Sequence, residues 1–135
     1  MRVVLDASAA VHIVLGGEQA PSLLQAVDDA TTVIAPGLFV AEVANALWKY
    51  HRAGSLPLNE TLERYQEAVG LVDETTSDRE LVDEALSEAG RWGHPVYDLL
   101  YAVLARRVGG TVLTLDERLV GLLSKMGVPA ARPAP

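Results

Sequence analysis

Four carboxylates in the chain stand where an otherwise apolar run begins or ends. Asp6 closes Val3-Val4-Leu5, and Asp116 closes Thr111-Val112-Leu113-Thr114-Leu115. Glu42 interrupts the run that starts Leu38-Phe39-Val40-Ala41, and Asp98 opens Leu99-Leu100-Tyr101-Ala102-Val103-Leu104. A carboxylate beside buried apolar surface is costly unless it is paired, hydrogen-bonded or bound to a metal. If a fold gathers all four, their mutual repulsion makes a cation the simplest remedy. The chain has no cysteine, and no histidine is taken to stand beside the acids. The donors are then hard oxygens, which select Mg²⁺ or Mn²⁺ over Zn²⁺. Such a site suits displacement at a phosphodiester, where water must be activated and charge on the leaving oxygen stabilised.

Each acid also has a plainer reading. Asp6, Asp98 and Asp116 precede expected helices, where aspartate is a favoured N-cap. Ser8 and Thr114 read as ordinary cap or strand residues. Glu42 and Asn45, three apart, are the only polar side chains between positions 38 and 47. Lys49 and Arg52 continue their stripe, so all four could form the wet face of a mostly buried helix.

The surrounding elements decide between these readings. Short apolar runs alternate with helix-period stretches, the pattern of an α/β domain with a mainly parallel sheet. Strands are expected at Arg2–Asp6, Thr32–Ala35, Leu71–Thr75 and Thr111–Leu115, with a short edge strand near Val128. Helices are expected at Ala7–Leu15, from Pro21 to about Asp28, at Leu38–Ala53, after an Asn59 cap, from a Ser77/Glu80 capping box to Trp92, at Asp98–Val108 and at Glu117–Met126. In a parallel sheet, strand C-termini and the following helix N-termini share one edge, where ligands bind. Asp6, Asp98 and Asp116 can all reach that edge, and a helix can bring Glu42 to it.

Composition bounds the rest. At 135 residues, half of them hydrophobic, the chain supports one domain, expected at residues 1–131 with a frayed tail at 132–135. No apolar run reaches the roughly 20 residues of a membrane span, and neither a signal-peptide pattern nor a cysteine framework is seen. A cytoplasmic protein without a membrane partner is expected. The net charge of −7 disfavours nucleic acid unless local cations offset it. Lys49, Arg52, Arg106, Arg107 and Arg118 are the candidates for that role. His12, His51 and His94 are isolated from one another and read as packing or surface residues.

Asp6-Ala7-Ser8, Glu42 with Asn45, Tyr97-Asp98-Leu99-Leu100-Tyr101, and Thr114-Leu115-Asp116 with Arg118-Leu119 resemble the successive motifs of the PIN domain. Their size and spacing are similar to those of the VapC toxins of type II toxin–antitoxin pairs. The resemblance covers nearly the whole chain. It implies a three-layer α/β/α sandwich and a metal-dependent endoribonuclease that cuts RNA. It further implies an acidic quartet of Asp6, Glu42, Asp98 and Asp116, with Asp6 and Asp98 as direct ligands of Mg²⁺ or its substitute Mn²⁺. Ser8, Asn45 and Thr114 would be supporting groups. A VapB-type antitoxin with a basic tail and a homodimer are the partners it implies. The early helices, around Val11 to Leu15 and Leu23 to Val27, are the expected apolar rim for the antitoxin. Two alternatives stand beside this reading. One is a phosphoacceptor signalling domain, which would need a lysine near the acids. The other is a PIN-like binding module without catalysis.

Overall fold

A computed structural model describes residues 1–131, so the tail expected at 132–135 lies outside the described residues. The strands β1 (Arg2–Leu5), β2 (Thr32–Pro36), β3 (Glu74–Thr76), β4 (Thr111–Leu113) and β5 (Ala130–Ala131) form one sheet in the order β3-β2-β1-β4-β5. Every pairing is parallel. In the central register Val3 lies between Val33 and Thr111.

Because side chains alternate along a strand, a sheet covered on both faces must be apolar on both. Val3, Leu5, Val33, Ala35 and Leu113 face one core, shared with α1 (Ala7–Val14), α2 (Ala20–Asp29), α3 (Leu38–Arg52) and α4 (Leu58–Val69). Val4, Ile34 and Val112 face the other, shared with α5 (Asp78–Trp92), α6 (Val96–Val108) and α7 (Glu117–Met126). This is the expected three-layer α/β/α sandwich. The α6 run from Leu99 to Ala105 is buried throughout, so it reads as uniformly apolar rather than amphipathic.

Chain order creates the functional edge. From β1 the strands run outward through β2 to β3, then return to the other side of β1 as β4 and β5. The winding reverses between β1 and β4, and the crevice beyond their C-termini is the topological switch point. Asp6 follows β1 directly, and Thr114 follows β4.

Several boundaries differ from the sequence expectation for identifiable reasons. Helix α6 starts at Val96, with Pro95 in the cap position. Asp98 therefore lies inside the first turn and is not an N-cap. Likewise α4 is preceded by Pro57, so Asn59 is already helical. Strand β3 begins at Glu74, while Leu71 and Val72 pack beneath it as loop residues on the α1–α4 core. The edge strand falls at Ala130–Ala131 while Val128 is buried ahead of it. Ser77 Oγ accepts from the Arg79 amide at 3.3 Å rather than from Glu80. Val11, Leu23 and Val27 of the expected apolar rim are core residues, which leaves Leu24 exposed and Ile13, Val14 and Leu15 partly buried along the early helices.

Candidate active site

The C-terminal edge of β1 and β4 is tied together by hydroxyls. Ser8 Oγ donates to Asp6 Oδ2 at 2.5 Å and accepts from the Leu115 amide at 3.0 Å. Thr114 Oγ1 donates to the same oxygen at 2.7 Å and accepts from the Asp116 amide at 3.0 Å. Asp6 occupies the N-cap position of α1, yet its side chain makes no cap bond. Its carboxylate instead faces the polar groups across the switch point. Asp116 does cap α7, accepting from Arg118 at 3.0 Å and Leu119 at 3.5 Å.

The other two acids arrive on helices. Glu42 is one turn into α3, whose start is secured by Asp78 of α5, where Oδ1 accepts from the Leu38 amide at 3.1 Å. Tyr101, 1% exposed, donates its hydroxyl to Glu42 Oε1 at 2.7 Å. Asp98, on the first turn of α6, lies with Oδ2 3.4 Å from Arg118 Nε and 3.5 Å from His94 Nε2. Both Asp98 Oδ2 and His94 Nε2 are shielded from solvent without a hydrogen-bond partner. All four acids line one cleft of about 330 Å³, with Ser8, Asn45, Lys49, Tyr97 and Arg118 around them.

Burial sets the electrostatics. It is the largest influence raising Asp6 above the ordinary carboxylate range, only partly offset by the Ser8 and Thr114 hydrogen bonds, with Asp116 adding repulsion. Glu42 is raised by burial first, opposed by the Tyr101 hydrogen bond and reinforced by Asp6, Asp98 and Asp116. Asp98 follows the same pattern, with burial, then Asp116, against Arg118 and His94. Desolvation thus outweighs mutual repulsion as the cause. Burial, and then the charges of Asp6 and Glu42, keep the Tyr101 phenol protonated, so it serves Glu42 as a donor.

Among the described residues no group of three or more histidines, cysteines or acids forms a ready-made cation cage. The donor chemistry nevertheless fits a hard divalent ion. The acids are oxygen donors, they crowd one polar cleft, and a shielded carboxylate oxygen of Asp98 lacks a hydrogen-bond partner.

Not every candidate reaches the cleft. Arg106 and Arg107 bind Glu84 at 3.0 and 2.9 Å on the α5–α6 face, and Arg106 also reaches Glu88. They do not line the cleft. Arg52 stacks over Trp48, 5.4 Å from the ring centroid. Lys125 belongs to the last turn of α7, at the opposite end from Asp116, so Lys49 is the lysine that lines the cleft. His94 corrects the expectation that no histidine stands beside the acids. Tyr101, which the sequence offers within an apolar run and at the end of the Asp98 motif, donates to Glu42. His94 lies ahead of the Pro95 cap and reaches Asp98 from outside α6, and the Tyr101–Glu42 contact joins two helices 59 residues apart, so no local spacing announces either.

The PIN-domain sequence pattern matches residues 3–122. Ribonuclease VapC3 of Pyrobaculum aerophilum is 34% identical over 121 residues, 88% of this chain and 92% of that protein. Among solved structures, a protein of Pyrobaculum aerophilum superposes with a TM-score of 0.75 at 22% identity, over 96% of this chain and 83% of its own. VapBC2 of Rickettsia felis, solved on a DNA fragment from its promoter, gives 0.70 at 13% identity, over 99% of this chain and 100% of the other. With the sequence pattern spanning both cores and the relative matching along most of its length, the chain belongs to the PIN-domain family.

Proposed function

We propose that this protein is the toxin of a type II toxin–antitoxin pair, a metal-dependent endoribonuclease that hydrolyses RNA phosphodiester bonds through Asp6, Glu42, Asp98 and Asp116. One observation carries the reading. Acids from four separate stretches of chain line a single cleft at the switch point of a parallel sheet. The 34% identity to a ribonuclease VapC3 along 88% of the chain supports the same activity.

In this mechanism Asp6 and Asp98 would hold Mg²⁺, with Mn²⁺ as substitute, and Glu42 and Asp116 would complete the set. When bound, the ion would supply water activation and charge neutralisation at the phosphodiester. Ser8 and Thr114 orient Asp6 by donating to one of its oxygens. Tyr101 fixes Glu42 in the same way. Arg118, near Asp98 yet with a largely exposed side chain, can exchange that contact for a substrate phosphate.

Three further features belong to this proposal. The cytoplasm is its site of action, and among the described residues no helix is long and apolar enough to cross a membrane. A VapB-type antitoxin would place an arginine or lysine against the acids, competing with metal and RNA together. Two copies would form the working unit.

The test is RNA cleavage in Mn²⁺ by wild type, Asp98→Asn and Asp6→Ala, each verified as folded by circular dichroism. Wild type should cleave and both variants should lose at least about a hundredfold in rate, on the order of 2.7 kcal/mol of transition-state stabilisation. Full activity of folded Asp98→Asn would refute the assigned roles.

A further inference from the structure

A second concavity of about 430 Å³ adjoins the acidic cleft, within the roughly 300–1,000 Å³ of small-ligand sites. It is lined by Ala46, Lys49, Tyr50, Ala53 and Ser55, and it shares Ala46 and Lys49 with the cleft. The connection follows from helical geometry. Positions 42, 46, 49, 50 and 53 recur on one side of α3 at spacings of three and four. A single helix face therefore runs from the catalytic acid Glu42, past Lys49, into this annex.

Three properties of the annex point the same way. Its floor consists of two alanines, which leave room beside the helix. Its wall is Tyr50, an aromatic ring 45% exposed, although burial of such a ring would be favourable by itself. At its junction with the cleft is Lys49, which has no ion-pair partner among the described residues. By contrast, Arg64, Arg106 and Arg107 are all bound to glutamates. An aromatic face beside an unpaired cation is the pairing with which proteins hold single-stranded nucleic acid, stacking the base and tracking the phosphate. A chain of net charge −7 with an acidic cleft needs such a cation where the strand enters.

Resting on the ribonuclease reading, we infer that the annex is a nucleobase subsite for a nucleotide flanking the scissile bond of single-stranded RNA. Tyr50 stacks on the base over the floor of Ala46 and Ala53. Lys49 holds the phosphate between annex and cleft, and the Ser55 hydroxyl is available to the base edge. Stacking accepts any base, so the subsite selects unpaired RNA rather than a particular letter. A duplex, whose bases are already stacked, cannot offer one without being opened.

The experiment begins with wild-type protein in Mn²⁺ on total cellular RNA, to map a cut. A short single-stranded RNA spanning that cut is then used for steady-state kinetics. Tyr50→Ala should raise KM about tenfold, the usual scale of one base–aromatic stack, with kcat and thermal midpoint unchanged. Tyr50→Phe should behave as wild type. Lys49→Gln should raise KM and reduce the salt dependence of binding by about one unit of slope. The deciding measurement removes the base from each nucleotide flanking the cut in turn. At one of them wild type should fall to the level of Tyr50→Ala, and the variant should lose nothing further. Additive losses at both positions would overturn the subsite, as would an unchanged KM in Tyr50→Ala. If that variant instead weakens inhibition by a co-expressed antitoxin at unchanged KM, the annex belongs to a protein partner and the inference fails. Absence of any cleavage by wild type would reject the ribonuclease reading itself, and the subsite with it.

Discussion

Tyr101 gives Glu42 its place. The phenol is enclosed in the α5–α7 core and reaches the cleft only through its hydroxyl. Tyr101→Phe keeps the ring packing and removes one hydrogen bond to a half-buried carboxylate. The change should cost about 1–2 kcal/mol of stability. It should also lower kcat on the order of tenfold, the rate equivalent of about 1.4 kcal/mol. Equal kcat for the variant and wild type would show that Glu42 needs no such anchor. The raised acids make a second prediction. Asp6, Glu42 and Asp98 hold protons in the folded state at pH values where the unfolded chain has released them. Their stabilising effect is complete below the ordinary carboxylate range and is lost as pH rises through the raised values. Glu84 opposes them in a different window. Burial works against its ionisation, but Arg106 and Arg107 outweigh it and hold it low, so its contribution disappears only on further acidification. Metal-free protein should therefore melt higher at mildly acidic than at neutral pH. Asp98→Asn should flatten that dependence and melt above wild type at neutral pH. A wild-type melting point that climbs steadily from pH 5 to 8 would contradict this.

Helices α5 and α6 form an ion-paired face that the sequence offers as plain basic residues. Glu84 takes both Arg106 and Arg107, while the largely buried Glu88 accepts from Trp92 Nε1 at 2.9 Å. Arg107→Ala should lower stability by about 0.5–1 kcal/mol, as expected for a partly exposed pair within a network, and leave KM for RNA unchanged. Arg118→Ala should do the reverse, raising KM with little effect on melting. Kinetics and thermal melts on the two variants separate the roles, and a raised KM in Arg107→Ala would return that residue to the substrate path. The contrast shows what was legible along the chain. Element order, the sheet and the three layers follow from apolar runs between glycine and proline stops. Gly93, Gly109 and Gly127 close α5, α6 and α7 in the left-handed conformation, with φ of 63, 64 and 71°. Which arginine meets a glutamate 22 or 23 residues away depends on how helices pack, and no local pattern carries it. Boundaries moved for a related reason. Pro95 can occupy a cap without an amide to satisfy, so α6 begins before the acid that seemed to cap it. The cluster of acids was legible because each ends or opens an apolar run. Its supports were hidden, because Tyr101 resembles core and the His94–Asp98 spacing matters only once both residues are near one helix.

At the scale of the whole molecule, the acidic edge is a store of unfavourable charge that binding can relieve. Three carboxylates titrate above their ordinary range chiefly because the fold withdraws them from water, and the net charge of −7 adds to the self-repulsion. An ion that binds this arrangement and not the unfolded chain stabilises the fold by linkage, about 2.7 kcal/mol at a hundredfold excess over its Kd. For a chain of this length that corresponds to roughly 10 °C in melting temperature. Mn²⁺ should therefore raise the melting point of wild type markedly. Because binding requires deprotonated carboxylates, the gain should grow as pH rises from about 5 to 7.5. Asp98→Asn, already relieved of one charge and short of one ligand, should begin higher and gain little. Ser8→Ala and Thr114→Val act differently. They leave all four acids in place but free Asp6 from the hydroxyls that orient it, so each should keep part of the Mn²⁺ gain. Scanning calorimetry across a Mn²⁺ series at two pH values distinguishes these cases. An equal Mn²⁺ shift in wild type and in an Asp6→Ala, Asp98→Asn double variant would place the ion elsewhere on the surface and remove the physical reason for gathering the acids.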